Sequence, residues 1–208
     1  HKRIFDGDKG PNTGGMGTYA PAPVLTDALR DEAMKTILEP MVAAMQKEGM
    51  PYVGCLYAGL MITPQGPKVV EFNARFGDPE TQVVLPLLDS DLGQIMMACA
   101  TGTLTADMVK WKDSSAACVI LASKGYPETS SKGDVIHGDI KQHDTTIVFH
   151  SGTKLVGEEY MTNGGRVLGV VGLGKDLRTA LDRAYGRIEH IDFEGMQYRT
   201  DIGAKAFK

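Results

Sequence analysis

Three polar side chains of different chemistry alternate with apolar residues near the middle of the chain. The stretch KVVEFNARFGDPE contains a carboxylate at Glu71, an amide at Asn73 and a guanidinium at Arg75. Side chains of a β-strand alternate between its faces, so Val70 and Phe72 are expected to point into a core. Glu71 and Asn73 are then expected on the other face, with Cα atoms roughly 7 Å apart. Two oxygen ligands at this spacing suit Mg²⁺, which completes its shell with water and substrate phosphates.

The residues that follow strengthen this interpretation. Arg75 could bind a carboxylate or a phosphate through two parallel hydrogen bonds. Asp78, Pro79 and Glu80 form a polar turn directly after the predicted strand, and loops at strand ends are favoured functional sites. The alternative for an E-x-N-x-R pattern is a half-exposed strand whose polar side chains face water. The turn after the strand favours the functional interpretation.

A glycine-rich stretch, GPNTGGMG, lies within a predicted loop of residues 7–23. Its glycines would let backbone N–H groups approach an anionic ligand closely. It is not a P-loop, because no G-K-[ST] follows, and it lacks the flanking strand and helix of a dinucleotide fingerprint. A flexible surface loop explains the bare pattern equally well. Charges of both signs lie just upstream, at Lys2, Arg3, Asp6 and Asp8, and suit either a zwitterionic or phosphorylated substrate or a solvated cluster.

Hydrophobic periodicity predicts the elements that position these residues. A helix is expected from a cap at Thr26 or Asp27 to Gly49, with a kink or split at Pro40. The segments YVGCLYAGLMIT and PKVVEFNAR predict a hairpin with the turn PQG. PETQVVLPLL and DLGQIMMACAT predict helical segments, the second capped by Asp91. Short β-type runs follow, such as AACVILAS and RVLGVVGLG, and then the amphipathic helix KDLRTALDRAYGRIEHI.

This change of pattern predicts an α+β protein of α/β type with two domains. Residues 1–104 would form the first, and residues 105–208 a small domain with a mixed or antiparallel sheet. The net charge is −4 without a basic cluster, which argues against a nucleic-acid surface. No apolar run approaches the ~20 residues needed to cross a membrane. Cys55, Cys99 and Cys118 lack the spacing of metal ligands or a disulfide framework and predict small buried hydrophobes in a reducing cytosol.

Five stretches of the sequence occur in the order and spacing of a known family. They are HKRIFDGDKGPNTGGMGTYAPAP, GLMITPQGPKVVEFNARFGDPETQVVLPLL, ASKGYPE, GGRVLGVVGLG and FEGMQYRTDIG. The chain resembles the glycinamide ribonucleotide synthetases, or phosphoribosylamine–glycine ligases, of the ATP-grasp superfamily, from His1 to about Gly203. The resemblance implies the C-terminal half of an ATP-grasp fold followed by the small domain. The chain has no initiator Met, and we expect it to be a piece of a longer protein.

The resemblance implies an ATP-dependent ligase of purine synthesis in the cytoplasm. In the family, the carboxylate of glycine attacks the γ-phosphate of ATP to give glycyl phosphate. The amine of 5-phosphoribosylamine then attacks the acyl carbon, giving glycinamide ribonucleotide, ADP and phosphate. The implied cofactors are ATP and Mg²⁺ or Mn²⁺, and the implied partners are glycine, 5-phosphoribosylamine and the missing N-terminal part. Phosphoryl transfer needs positioning and charge neutralisation, which agrees with a sequence without a nucleophile motif.

By position, the resemblance also assigns roles to residues of this chain. Glu71 and Asn73 would be the metal ligands that bridge Mg²⁺ to the ATP phosphates, and Arg75 the catalytic charge clamp. Lys2 would bind the cofactor, although Arg3 is an alternative for the phosphate contact. The implied substrate-binding residues are Asp8, Asn12, Thr13, Gly14, Gly15, Met16, Gly17, Asp78, Pro79 and Glu80.

Two motifs and two other functions stay open. SKGYP (Ser123–Pro127) and GGRVL (Gly164–Leu168) fit structural turns at least as well as substrate contacts through Lys124 or Arg166. One alternative function is another ATP-grasp ligase or carboxylase with different substrates. The residues of GPNTGGMG and RFGDPETQ argue against it, because other branches of the superfamily vary there. The other is a folded but inactive fragment that serves as a binding or assembly module.

Overall fold

The fold is described by a computed structural model that covers residues 1–207. In these residues the strands are β1 (Arg3–Phe5), β2 (Lys9–Asn12), β3 (Gly17–Ala20), β4 (Tyr57–Thr63), β5 (Gly66–Asn73), β6 (Ser115–Ala122), β7 (His137–Gly138), β8 (Thr146–His150), β9 (Thr153–Val156), β10 (Glu159–Thr162), β11 (Arg166–Gly174) and β12 (Ile191–Asp192). The α-helices are α1 (Asp27–Ala33), α2 (Glu39–Lys47), α3 (Thr81–Val84), α4 (Leu92–Thr101) and α5 (Leu177–Ile188). None of these helices combines the length and apolarity needed to cross a bilayer.

The chain forms two compact units. The first combines His1–Pro21, Asp78–Leu87 and the residues from Asp113 onward, and the second combines Ala22–Gly77 with Leu88–Lys112. The units are defined by contacts in space. The division of the sequence into domains at residue 104 stays a prediction.

An antiparallel sheet with the strand order β3-β6-β11-β8 forms the centre of the first unit. Every residue of β6 is buried. Helix α5 packs through the apolar face that the sequence predicts, and its buried residues are Leu177, Ala180, Leu181, Ala184 and Ile188. A Cβ at Gly172 of β11 would lie 2.0 Å from the carbonyl oxygen of Ala180, so glycine is required for this close approach of helix and sheet.

The glycine-rich segment is not a loop throughout, which corrects the prediction for residues 7–23. Strand β2 pairs with β1, and β3 is an edge strand that pairs with β6, with Gly17 opposite Val119. A short glycine-rich segment carries little periodicity of its own, and its extended backbone here is fixed by hydrogen bonds to distant strands. Strand β3 therefore belongs to the same sheet as strands from the C-terminal part of the chain, whereas β2 forms a separate two-stranded sheet with β1.

A buried guanidinium connects the two ends of the first unit. Arg199 is 1% exposed and donates to Asp8 (2.9 Å), to both carboxylate oxygens of Asp201 (2.7 and 2.8 Å) and to the carbonyl oxygen of Arg3 (3.2 Å). Hydrogen bonds from Lys205 and Arg199 hold the pKa of Asp8 below its usual range. The hydrogen bonds from Arg199 also lower the pKa of Asp201 to about 2. This charged cluster connects the first residues of the chain to the last ones and stabilises the packing between them.

The second unit contains the predicted helix and hairpin. Thr26 caps α1 by accepting a hydrogen bond from the amide of Leu29 (3.3 Å). A π-helical turn, Met34–Leu38, separates α1 from α2, and Pro40 lies in the first turn of α2. Proline has no N–H to donate to the preceding turn, so the helix widens there. A π-helical turn therefore interrupts the α-helical pattern just before Pro40, where the sequence predicted a kink or a split.

The hairpin of β4 and β5 contains a bulge that the alternation did not predict. Glu71 pairs with Gly59, whereas the next pair is Val69 with Leu60, so Val70 is the extra residue of β5. Its side chain is 60% exposed, which corrects the prediction that Val70 points into a core. An inserted residue shifts the two-residue alternation by one on one side of the bulge.

Large apolar side chains remain exposed across the second unit. The buried apolar residues of its described part are small, namely Ala33, Pro67 and Ala98. Several larger ones are more than half exposed: Met50, Val53, Met61, Val70, Met96, Met97 and Trp111. Exposed apolar side chains mark an interaction site in soluble proteins where they form one contiguous patch.

The Arg199 cluster predicts a loss of stability in acid. The folded pKa of Asp201, about 2, lies below its ordinary value of 3.8, so its contribution is present above pH 3.8 and is lost as the pH falls through 2. We expect Asp201→Asn to remove about 2 kcal/mol of pH-dependent stability between these values, measured by urea denaturation from pH 2 to 7. Asp182→Asn, at an exposed position of α5, is the control. An unchanged pH dependence in Asp201→Asn would contradict the prediction.

Candidate active site

The first candidate group is the end of β5, in the second unit. The register from Tyr57↔Asn73 to Gly59↔Glu71 is regular, so Glu71 and Asn73 lie on one face of the strand. The side chain of Glu71 crosses Gly59, where an added Cβ would lie 3.1 Å from its Cγ. The bulge at Val70 comes before this pair and leaves its alternation intact. A carboxylate and an amide therefore project together from the hairpin.

Asn73 has an unsatisfied polar group. Its Nδ2 atom is buried and has no hydrogen-bond partner within residues 1–207. Burying an amide without a partner costs free energy, so such groups in proteins call for a ligand or water. The described part of the chain contains no cluster of three or more His, Cys, Asp and Glu residues that could hold a metal ion. Two oxygen donors suit a cation that takes its other ligands from phosphates and water.

Arg75 does not share the strand geometry of this pair. Strand β5 ends at Asn73, and Arg75 lies in the bend that follows, which corrects the expected strand end. Its side chain is exposed, and Nη1 donates to the carbonyl oxygen of Phe76 (3.1 Å). The guanidinium is thus accessible but is not aligned with Glu71 and Asn73 by strand alternation.

The second candidate group is the loop Asn12–Gly17 in the first unit, called the glycine loop below. Its central amides donate within the protein rather than to a ligand, which corrects the predicted amide cradle. The bonds are Thr13 N to Lys2 O (2.7 Å), Gly14 N to Tyr126 Oη (2.9 Å), Gly15 N to Thr13 Oγ1 (2.9 Å) and Met16 N to His1 O (2.8 Å). Any ligand of this loop must use other groups.

Close packing explains the glycines of this loop. A Cβ at Gly14 would lie 3.0 Å from Cζ of Arg166, and a Cβ at Gly15 would lie 2.6 Å from Cδ of Pro79. Gly15 also has φ +121°, a conformation that L side chains rarely adopt. The side chain of Met16 is fully buried beside Ile4, so it supports the loop from within and does not face solvent.

The turn at Asp78 is joined to the glycine loop by Arg166. Nη1 of Arg166 donates to the carbonyl oxygens of Gly14 (3.1 Å) and Asp78 (2.9 Å), and Nη2 donates to the Asp78 carboxylate (2.8 Å). The other carboxylate oxygen of Asp78 accepts a hydrogen bond from Gln82 (2.9 Å). Pro79 is buried and Glu80 is half-buried. Of the predicted substrate residues, Asn12–Gly17 and Asp78–Glu80 are therefore brought together.

The upstream charges have defined partners. The carbonyl oxygen of Lys2 accepts hydrogen bonds from the amide and hydroxyl of Thr13, and the guanidinium of Arg3 donates to the carbonyl oxygen of Gly10 (2.6 Å). The Asp8 carboxylate binds Arg199 and Lys205. Asp8 is thus part of the buried charged cluster, and a direct contact with substrate stays a prediction.

Sequence reasoning missed Tyr126 and left Arg166 undecided. The signals were the motifs SKGYP and GGRVL, which contain these residues but carry no periodicity that shows where they fold. A side chain that contacts a loop more than a hundred residues away cannot be inferred from local spacing.

The second unit also contains a cavity of about 480 Å³. It is mostly apolar, and its lining includes Leu56, Phe76, Ile95 and the thiols of Cys55 and Cys99. Burial raises the pKa of the Cys55 thiol, which keeps it protonated. Ligand sites in proteins combine an apolar lining of this kind with a few convergent polar groups.

Sequence models of one protein family match most of the chain. The ATP-grasp (A) domain of phosphoribosylglycinamide synthetase matches residues 1–81, and the C domain matches residues 116–205. The chain belongs to the phosphoribosylglycinamide synthetase family. The predicted family and the α+β, ATP-grasp fold class are confirmed.

Individual members of the family are similar to the whole chain. The phosphoribosylamine–glycine ligase of Caulobacter vibrioides is 53% identical over 211 residues, which cover 100% of this chain and 49% of the ligase. The trifunctional purine biosynthetic protein adenosine-3 of Gallus gallus is 51% identical over 99% of this chain and 21% of that protein. The crystal structure of the Thermotoga maritima ligase aligns with a TM-score of 0.84 and 35% identity, over 97% of this chain and 49% of the ligase. The chain spans about half the length of the ligases it matches.

The contact between Gly15 and Pro79 predicts a sharp sensitivity to side-chain size. We expect Gly15→Ala to lower the free energy of unfolding by about 1–3 kcal/mol, because Cβ meets the proline ring and the positive φ becomes strained. Gly186→Ala is the matched control, since this helical glycine of α5 has open space around its Cβ position. The control should gain about 0.5–1 kcal/mol. Equal stability of the two variants in urea denaturation would contradict the packing role of Gly15.

Proposed function

We propose that this chain is the C-terminal part of an ATP-dependent ligase that joins glycine to 5-phosphoribosylamine in purine synthesis. The observation that carries the proposal is the similarity of the whole chain to proteins named phosphoribosylamine–glycine ligase, above half identity. The glycine carboxylate attacks the γ-phosphorus of ATP, and ADP leaves to give glycyl phosphate. The amine nitrogen then attacks the acyl carbon, phosphate leaves and the nitrogen loses a proton, which gives glycinamide ribonucleotide.

Glu71 and Asn73 would hold Mg²⁺ or Mn²⁺ in this reaction. Their shared strand face and their oxygen donors fit such an ion. The unpartnered Nδ2 of Asn73 is a donor, and it would bind a phosphate oxygen or a water rather than the cation. When bound, the cation would neutralise charge on the ATP phosphates. Arg75, exposed beyond the strand, would bind the transferred phosphoryl group or the glycine carboxylate through its planar guanidinium.

The remaining predicted residues would bind the substrates or the nucleotide. We assign the amine substrate to the glycine loop and to the turn Asp78–Glu80, which Arg166 joins. Lys2 would contact phosphate, as the family resemblance implies, and Arg3 is the alternative, although its guanidinium also donates to the carbonyl oxygen of Gly10. Asp8 would contribute through its ion pairs with Arg199 and Lys205, which fix the position of the first strands.

The partner of the chain in this proposal is the rest of the parent polypeptide. The exposed apolar surface of the second unit supports this assignment, because it has the character of an interface. The free cysteines fit the reducing cytoplasm. The acidic net charge supports a small-molecule ligase rather than a nucleic-acid-binding protein.

The second candidate function is a folded module without activity of its own. A reconstitution assay separates the two. The chain is incubated with glycine, ATP, Mg²⁺ and 5-phosphoribosylamine, alone and with the N-terminal part of the parent protein, and phosphate release is measured. We expect release that requires both glycine and the amine once the parts are combined. Phosphate release that does not require glycine or does not require the amine would contradict the ligase function. No phosphate release by the complete protein would contradict it as well.

Glu71→Gln tests the metal assignment in the complete protein. Replacing an anionic ligand with a neutral amide should lower metal-dependent turnover by about 100-fold or more while the denaturation midpoint is kept, because Glu71 is exposed. Lys68→Gln, at an exposed position of the same strand, is the control and should retain activity. A normal rate in Glu71→Gln at limiting Mg²⁺ would remove Glu71 from the metal site.

A further inference from the structure

Both backbone polar groups of Gly14 are held by side chains from distant parts of the sequence. Tyr126 accepts a hydrogen bond from the Gly14 N–H (2.9 Å), and Arg166 donates to its carbonyl oxygen (3.1 Å). We propose that Tyr126 and Arg166 are positioning residues that set the conformation of the glycine loop for the sugar phosphate of the amine substrate. This inference rests on the proposed function and assigns roles to the motifs SKGYP and GGRVL.

Arg166 connects two chain segments that are each predicted to bind substrate. Three of its five N–H donors are used, one on Gly14 and two on Asp78. Its side chain is 20% exposed, so the bonds are partly shielded from water, which strengthens hydrogen bonds to a charged group. Lysine at this position would keep the charge but would lose the planar fork that reaches both segments.

The ring of Tyr126 packs closely against the backbone of a glycine. A Cβ at Gly165, the residue before Arg166, would lie 2.2 Å from Cδ2 of the Tyr126 ring. The amide of Ser123 donates to the carbonyl oxygen of Gly165 (2.8 Å), which places the two motifs side by side. Gly165→Ala should therefore displace the Tyr126 hydroxyl from Gly14, although the side chains of Tyr126 and Arg166 are themselves unaltered.

The glycine loop itself explains why such external support is needed. Asn12 and Gly14 are exposed, whereas Gly15, Met16 and Gly17 are buried. The exposed half is the part accessible to a ligand, and glycine there has the largest conformational freedom to lose on binding. Fixing Gly14 in advance reduces the entropy cost of binding, which is the general advantage of a preorganised site.

The test uses the 208-residue chain and two readouts. Hydrogen exchange measures the opening of the Gly14 and Gly15 amides, and calorimetry measures binding of ribose 5-phosphate, which keeps the sugar phosphate and lacks the amine. The variants are Tyr126→Phe, Arg166→Lys and Gly165→Ala. The matched controls are Tyr160→Phe and Arg183→Lys, neither of which contacts the loop in the described structure.

We expect exchange at Gly14 to accelerate about fivefold in Tyr126→Phe, which loses one neutral hydrogen bond, and about tenfold or more in Arg166→Lys. Binding of ribose 5-phosphate should weaken by similar factors in both and in Gly165→Ala. The denaturation midpoint of Tyr126→Phe should stay close to that of Tyr160→Phe. Faster exchange with unchanged binding would show a structural role only and would overturn the proposal. Unchanged exchange in all three variants would overturn it as well.

The two readouts separate this inference from the ligase function. Exchange and binding of the sugar phosphate need neither ATP nor turnover. Binding that depends on Tyr126 and Arg166, in a protein that releases no phosphate with glycine and ATP, would support the positioning role while contradicting the proposed reaction. No binding of ribose 5-phosphate by the unaltered chain would overturn the assignment of the glycine loop to a sugar phosphate.

Discussion

The pairing of β3 with β6 is the constraint on which the first unit depends. Through it, a glycine-rich segment near residue 17 becomes the edge of a sheet whose other strands come from residues 115–174. Only after this pairing can Gly14 reach Tyr126 and Arg166, and Gly15 reach Pro79. Glycine is needed because the backbones and rings approach too closely for a Cβ. The main role of these glycines is thus to allow close contact between distant segments, rather than to make the backbone locally flexible.

Two arginines stabilise the junctions that this pairing creates. Arg199 is fully buried among carboxylates and a carbonyl, which offsets the desolvation of its charge. Arg166 is partly exposed and bridges backbone carbonyls to the Asp78 carboxylate. Both use the planar guanidinium to contact several acceptors at once, which an ammonium group cannot do in the same geometry. The first connects the two ends of the unit, and the second connects the glycine loop to the turn at Asp78.

The second unit follows a different principle. Its hairpin presents Glu71 and Asn73 on one face, and a bulge at Val70 leaves an apolar side chain exposed nearby on the same strand. Its buried apolar residues are small in the described chain, so it gains less from burial of apolar area than the first unit does. Its apolar surface is consistent with a chain that spans about half the length of its relatives.

The sequence by itself determined the elements whose signals are local. Thr26 and Asp91 each cap a helix by accepting a hydrogen bond from an amide three residues later, a π-helical turn precedes Pro40, and α5 buries its predicted apolar face. The regular pairing of β5 next to Glu71 and Asn73 also follows from period-two alternation. Only the tertiary structure decided the bulge at Val70, the strand within the glycine-rich segment and the contacts of Tyr126 and Arg166. These depend on register and on hydrogen bonds between segments far apart in sequence, and no local pattern of residue types encodes those distances.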